Sequence, residues 1–166
     1  MDIRFEFVGL ADCETILGVW TRASHARRST STVAESLPTL IAGRMADPSA
    51  WFIVARSGKQ TVGCAHGMPA RENDGEGDVI PGMMHLSLVA VEPSHWRHGI
   101  GRKLTEKALE IAHDRGFTSV QLWTQRTNVA AITLYESLGF RQTGREKMDQ
   151  GEPIIHFTRD ISRTPT

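Results

Sequence analysis

Ile3, Phe5 and Phe7 alternate with Arg4 and Glu6, a period of two that puts apolar side chains on one face of a first strand. The period lengthens after Asp12, where Cys13, Ile16, Leu17 and Trp20 fall on one side of a helix. A polar stretch from Thr21 to Ser31 follows, containing Arg22, His25, Arg27 and Arg28. Thr32, Val33, Ala34 and Glu35 have the form of a capping box, and Val33, Leu37, Leu40, Ile41 and Met45 keep helical spacing. Proline beyond the first turn kinks a helix, so Pro38 moves the predicted start nearer Ser36, and Asp47-Pro48 ends it.

Trp51 to Arg56 and Thr61 to Met68 are apolar runs joined by Ser57-Gly58-Lys59-Gln60, a predicted hairpin. From Pro69 to Gly82 the chain is rich in glycine and acid and reads as a long loop. Met83 to Val91 is a fourth strand, with His85 and Ser87 at alternate positions. Ile100 to His113 is amphipathic, with Leu104, Ala108, Ile111 and Ala112 on one face, and Gly116 suits its end. Thr118 to Thr124 reads as a fifth strand. Asn128 to Leu138 is a short helix showing Ala131, Ile132, Tyr135 and Leu138, closed by Gly139. Phe140 to Lys147 and Pro153 to Asp160 form a last hairpin around Asp149-Gln150-Gly151. With no repeat and no internal boundary, residues 1–166 read as one α+β (mixed α/β) domain.

Composition narrows the classes. The chain has 166 residues, 19 Lys plus Arg against 19 Asp plus Glu, 40% hydrophobic and 23% charged residues, which describes an ordinary globular domain. Zero formal charge argues against a general polyanion binder, so no nucleic-acid partner is expected. The charged N-terminus lacks the apolar core of a signal peptide. No run approaches the roughly 18 apolar residues that span a bilayer. The expectation is a cytoplasmic protein without a membrane partner. Cys13 and Cys64 are too few for a disulfide scaffold, and Cys64, in an apolar run, reads as a buried inert thiol. His95 and His98 have the spacing of a metal pair but no acid or thiol clusters with them, so no metal is expected. His25, His113 and His156 lack motif support. Trp20, Trp51, Trp96 and Trp123 read as packing or surface anchors rather than a base-stacking platform.

The most informative segment runs from Val89 to Arg102: a strand, a short loop with Gly99 and Gly101 two apart, and a helix start. Glycines there let backbone N–H groups converge, and the helix N-terminus adds partial positive charge, an arrangement suited to a pyrophosphate. Taken alone it is weak, since the third glycine of a dinucleotide fingerprint and the Gly-Lys-Ser/Thr of a P-loop are missing. A tight turn into a helix would look the same.

A second segment, Asn128 to Phe140, contains Asn128-Val129-Ala130-Ala131-Ile132-Thr133-Leu134-Tyr135, then Gly139-Phe140. Together the two resemble the GNAT superfamily of acyl-CoA-dependent N-acyltransferases. That family carries a Gln/Arg-x-x-Gly-x-Gly/Ala loop after its fourth strand and an Asn-x-x-Ala-x-x-Leu-Tyr-x-x-x-Gly-Phe run in the next helix but one. The match covers residues 84 to 140 in order and spacing. One position departs: the leading Gln/Arg falls on Trp96, with Arg97 next, so the family's side-chain role does not carry over to position 96. The resemblance implies a central, mostly antiparallel mixed sheet of six to seven strands, flanked by about four helices and splayed between strands 4 and 5.

The resemblance also implies a site. Backbone groups of Val89 and Val91 would face a pantetheine arm. The amides of Arg97, His98, Gly99, Ile100, Gly101 and Arg102 would hold the pyrophosphate, and Asn128 would contact the cofactor. Acetyl-CoA would be the co-substrate. Tyr135 matches the family tyrosine and is the candidate general acid, because a phenol with pKa about 10 stays protonated at neutral pH. Periodicity alone would make it a core residue. His85, whose ordinary pKa of about 6.5 suits a base, is the candidate general base. His85-Leu86-Ser87-Leu88-Val89-Ala90-Val91 is similar to the fourth strand of serotonin N-acetyltransferase, with Ser87 replacing that strand's second histidine. His66, Glu92 or an ordered water remain as alternatives, and His85 bonded structurally to backbone is another.

The expected acceptor is a primary amine, on a small molecule or a peptide, and Glu72, Asp74, Glu76 and Asp78 could attract a cation. A homodimer is compatible with the resemblance, though no residue pattern specifies one. A catalytically silent acyl-CoA sensor or interaction module is the alternative. A nucleotide switch would need a phosphate-loop lysine and magnesium ligands that the chain lacks.

Overall fold

A computed structural model of the chain describes residues 2–27, 37–149 and 151–162. The capping box at Thr32–Glu35 and Arg28 lie outside these residues. The strands are β1 (Ile3–Val8), β2 (Trp51–Ser57), β3 (Gln60–Arg71), β4 (Val79–Val91), β5 (Ser119–Gln125), β6 (Arg141–Asp149) and β7 (Glu152–Asp160). The helices are α1 (Cys13–Arg27), α2 (Leu37–Ala46), α3 (Ile100–Asp114) and α4 (Val129–Ser137). The hydrogen-bonded strand order is β1-β2-β3-β4-β5-β7-β6. β4 and β5 run parallel, in register from Met83 opposite Ser119 to His85 opposite Gln121, where the register stops. The pairs β1–β2, β2–β3, β5–β7 and β6–β7 are antiparallel. This is the mixed α/β sheet with a β4–β5 splay that the motifs implied.

The chain forms two compact units, Met1–Met68 with Leu88–Thr105, and Pro69–Ser87 with Glu106–Thr166. In the first, Ile16, Val19 and Ala23 of α1 pack with Phe52 and Val54 of β2, Cys64 of β3, and Leu88 and Ala90 of β4. Burial pushes the Cys64 thiol up to about 12, with nearby Glu92 adding to the effect, so this cysteine is the inert thiol expected. A side chain at Gly63 would stand 3.0 Å from Leu104 Cδ1 and 3.2 Å from the Ala90 carbonyl. The bare glycine therefore lets the first turn of α3 sit directly on the strands.

In the second unit Met84, Val120, Leu122 and Phe157 are buried. Both of its helix C-termini close on glycine. Gly116 (φ 83) and Gly139 (φ 88) take the left-handed conformation. Phe117 N–H then reaches the Ala112 carbonyl, and Phe140 N–H that of Tyr135, both at 3.0 Å.

Three local expectations are corrected. Phe7 is 63% exposed, because it lies near the end of an edge strand that is covered from one side only. Thr21 to Arg27, the first part of the polar stretch, continue the helix. Ala23 continues the Ile16–Val19 stripe, and Arg22 is tied to Glu92. The loop predicted over Pro69–Gly82 shrinks to residues 72–78, closed by Glu72 N–H to Asp78 O at 2.9 Å. Gly82 (φ 75) is a kink within β4, where its carbonyl takes the Thr118 N–H at 2.8 Å.

Candidate active site

The residues singled out from sequence divide between the units. Val89, Val91 and the 97–102 loop belong to the first, and His85, Asn128 and Tyr135 to the second.

In the first unit the chain leaves β4 at Val91 and turns through Pro93–His95 into α3. Arg97 (φ 66) and Gly99 (φ 76) are both left-handed. The first rung of α3 is Lys103 N–H to Gly99 O at 3.1 Å. The amides of Ile100, Gly101 and Arg102 therefore precede the hydrogen-bond ladder, at the positive end of the helix dipole. Three leading amides, with Arg97 and Arg102 exposed in the same stretch, form a cradle of donors whose partial charge suits an anion. Space around Gly99 is open, with no atom within 4 Å of an added Cβ. Gly99→Ala is thus expected to cost about 1–2 kcal/mol through backbone strain alone, whereas Arg97→Gly relieves such strain. Urea unfolding of both variants checks the contrast.

Trp96 has a definite task. Its indole Nε1 donates to the Val91 carbonyl at 2.7 Å, tying the loop to the strand end. That carbonyl thus already accepts one bond from within the chain. Glu92, a reserve candidate for the base, is 6% exposed and held by Arg22. The Arg22 Nε lies 2.8 and 3.0 Å from its two oxygens, and Nη2 bonds Oε1 as well. A carboxylate so clamped fits a structural tie better than a proton acceptor. His66 is buried, its ring stacked on Phe52 with centroids 4.1 Å apart.

In the second unit, His85 and Ser87 occupy the half-exposed face of β4, in the same alternation that continues through Val89 and Val91. Met84, Leu86, Leu88 and Ala90 point to the buried face. His85 Nδ1 lies 3.4 Å from Gln121 Nε2. Gln121 Oε1 is 2.8 Å from His156 Nε2, and His156 Nδ1 is 2.8 Å from Thr143 Oγ1. His156 had no motif support, yet it is 3% exposed and sits in this chain of polar groups. Burial, with Arg145 and Lys147 nearby, pushes its pKa down to about 4. No short motif could have marked it, because Gln121 and His156 meet only through the β5–β7 register.

Asn128 caps α4, its Oδ1 accepting from Ala131 N–H at 3.2 Å. Its oxygen is thereby committed to the helix. Tyr135 is 8% exposed, with Phe140 edge-on at 5.7 Å and Phe157 at 6.4 Å. No group of three or more His, Cys, Asp or Glu residues placed to hold a metal occurs among the described residues. No helix among them is long and apolar enough to cross a membrane.

A sequence model of the Acetyltransferase (GNAT) family matches residues 14–140. The chain belongs to that family. Among curated relatives, N-acetyltransferase 8 of Rattus norvegicus is 36% identical over 120 residues, covering 71% of this chain and 50% of that protein. The chain spans about half the length of the curated relatives it matches first. Among solved structures, the ribosomal-protein-S18-alanine N-acetyltransferase of Escherichia coli superposes with a TM-score of 0.76 at 21% identity, covering 99% of this chain and 97% of that one. The yncA protein of Salmonella typhimurium, whose structure holds its cofactor acetyl-CoA, gives 0.74 at 19% identity over 100% and 98%. These two likenesses establish the GNAT fold.

Proposed function

We propose that residues 1–166 act as one acetyl-CoA-dependent N-acetyltransferase domain, moving an acetyl group to a primary amine by direct attack on the thioester. A small-molecule amine is favoured over a peptide one. The observation that carries this reading is the cradle of three leading amides at α3, at the family loop position. The family match over residues 14–140 supports treating the two units as one working domain. Relatives named N-acetyltransferases support the reaction class.

The co-substrate supplies an activated acetyl thioester. In this proposal the Arg97, His98, Gly99, Ile100, Gly101 and Arg102 backbone binds its pyrophosphate. The Val89 and Val91 amides orient the pantetheine arm, with the Val89 N–H polarising the acetyl carbonyl. Asn128 contributes its Nδ2 donor, its oxygen being used as the helix cap. His85 takes a proton from the amine and Tyr135 gives one to the departing thiolate. The same proposal includes a cytoplasmic location and a homodimer.

Thermal shift with CoA, acetyl-CoA and ATP tests the cradle, and thiol release across a panel of amines tests transfer. Stabilisation by both CoA species but not ATP, with amine-dependent release, is the expected result. Stabilisation by ATP alone would overturn the reading. Binding of CoA without turnover on any amine would favour a silent sensor.

A further inference from the structure

Four side chains of the second unit form a line that the proposed chemistry does not by itself require. It begins at His85, on the last β4 residue in register with β5, and passes through its register partner Gln121. From there it continues through His156 of β7 to Thr143 of β6. Gln121 is 8% and His156 3% exposed, and the links are 3.4, 2.8 and 2.8 Å. A buried amide between two imidazoles is an expensive way to fill a strand position, since every polar atom must find a partner.

The line has a direction. Gln121 Oε1 can only accept, so His156 Nε2 donates to it at 2.8 Å, while Thr143 Oγ1 faces His156 Nδ1 at 2.8 Å. His156 is neutral near pH 7 and has one N–H, because burial and the cations Arg145 and Lys147 of β6 oppose its protonation. Those cations lie over the Trp123 ring, at 5.3 and 4.4 Å, and Trp123 in turn packs against His156 at 4.8 Å. With Nε2 donating, the one His156 proton sits there and Nδ1 accepts. The Gln121 amide is thereby held with its NH2 group toward His85 Nδ1.

We propose that Gln121 and His156 are positioning residues that fix which nitrogen of His85 carries the proton. His85 Nδ1 becomes the accepting nitrogen, and the neutral ring carries its proton on Nε2. An imidazolium at His85 would set an Nδ1–H against the amide NH2. Relieving that conflict means turning the amide and breaking its 2.8 Å bond to His156. The functional meaning of this positioning rests on the reading of His85 as the base, but the tautomer itself does not.

The test is long-range 1H–15N correlation on the full chain labelled at histidine, with the His85 signals assigned by their loss in His85→Gln. The wild-type protein is expected to show the Nε2–H tautomer at His85. Gln121→Glu, whose carboxylate accepts where the amide donates, should bring a proton onto His85 Nδ1, and His156→Gln, which can still donate to Gln121 and accept from Thr143, should keep the Nε2–H tautomer. In steady-state assays Gln121→Leu should lower kcat about 10-fold with KM for acetyl-CoA within about twofold. An Nδ1–H tautomer in the wild type, or an Nδ1 left without a proton in Gln121→Glu, would overturn the proposal. The spectra need no turnover, so failure of the acetyl-transfer reading shows separately, as wild-type protein that releases no thiol with any amine.

Discussion

Tyr135→Phe is expected to lower kcat by about 10²–10⁴-fold, the range of a lost general acid, while the Kd for CoA stays within about twofold. The substitution isolates the hydroxyl because the ring itself is held by packing. Phe140 meets it edge-on at 5.7 Å and Phe157 at 6.4 Å, contacts that a phenylalanine at position 135 reproduces. The loss should appear in turnover. Without a proton donor the thiolate leaves as an anion, so the defect should shrink for acyl donors whose leaving group is less basic than the CoA thiol. Single-turnover rates with acetyl-CoA and with a thioester of a more acidic thiol check both points. Turnover equal to wild type would return Tyr135 to a purely packing role, the reading its helical periodicity gave.

What the sequence made legible was local. Gly99 and Gly101 ahead of an apolar stripe marked the loop and start of α3, and the left-handed Gly116 and Gly139 closed their helices as expected. The alternation of His85, Ser87, Val89 and Val91 was readable as one strand face. What escaped depended on partners distant in the chain. Thr21 to Arg27 read only as a polar stretch because their hydrophilicity outweighed Ala23, and the ion pair that keeps Arg22 in helix reaches Glu92. Pro69, Pro81 and Gly82 looked like loop residues, although Thr118 supplies the hydrogen bond that holds Gly82 within a strand. Trp96 departs from the family's Gln/Arg, and only the 2.7 Å bond to the Val91 carbonyl explains what an indole does there. His156 was invisible for the same reason: its environment is made by Gln121, Trp123 and Thr143 across the β5–β7–β6 register.

Arg22→Leu is expected to lower the unfolding free energy by about 1–3 kcal/mol, the cost of leaving a buried acceptor without its partner. The two partners differ in exposure: the Arg22 side chain is 59% exposed and that of Glu92 only 9%. Removing the arginine leaves a buried carboxylate without its guanidinium, whereas removing the acid leaves an arginine that can turn to water. Glu92→Leu alone should therefore cost less than Arg22→Leu. The double variant should recover most of the loss, because two apolar residues of similar volume need no compensation. Position makes the pair matter beyond stability. The Glu92 N–H donates to the Val62 carbonyl at 2.8 Å, and the residue directly precedes the Pro93–His95 turn that leads to the α3 amides. A loosened Glu92 should thus weaken CoA binding in Arg22→Leu more than in the double variant. Urea unfolding of the three variants, paired with CoA titrations, separates the two effects. Equal destabilisation by both single substitutions would mean that the charge asymmetry does not govern the pair.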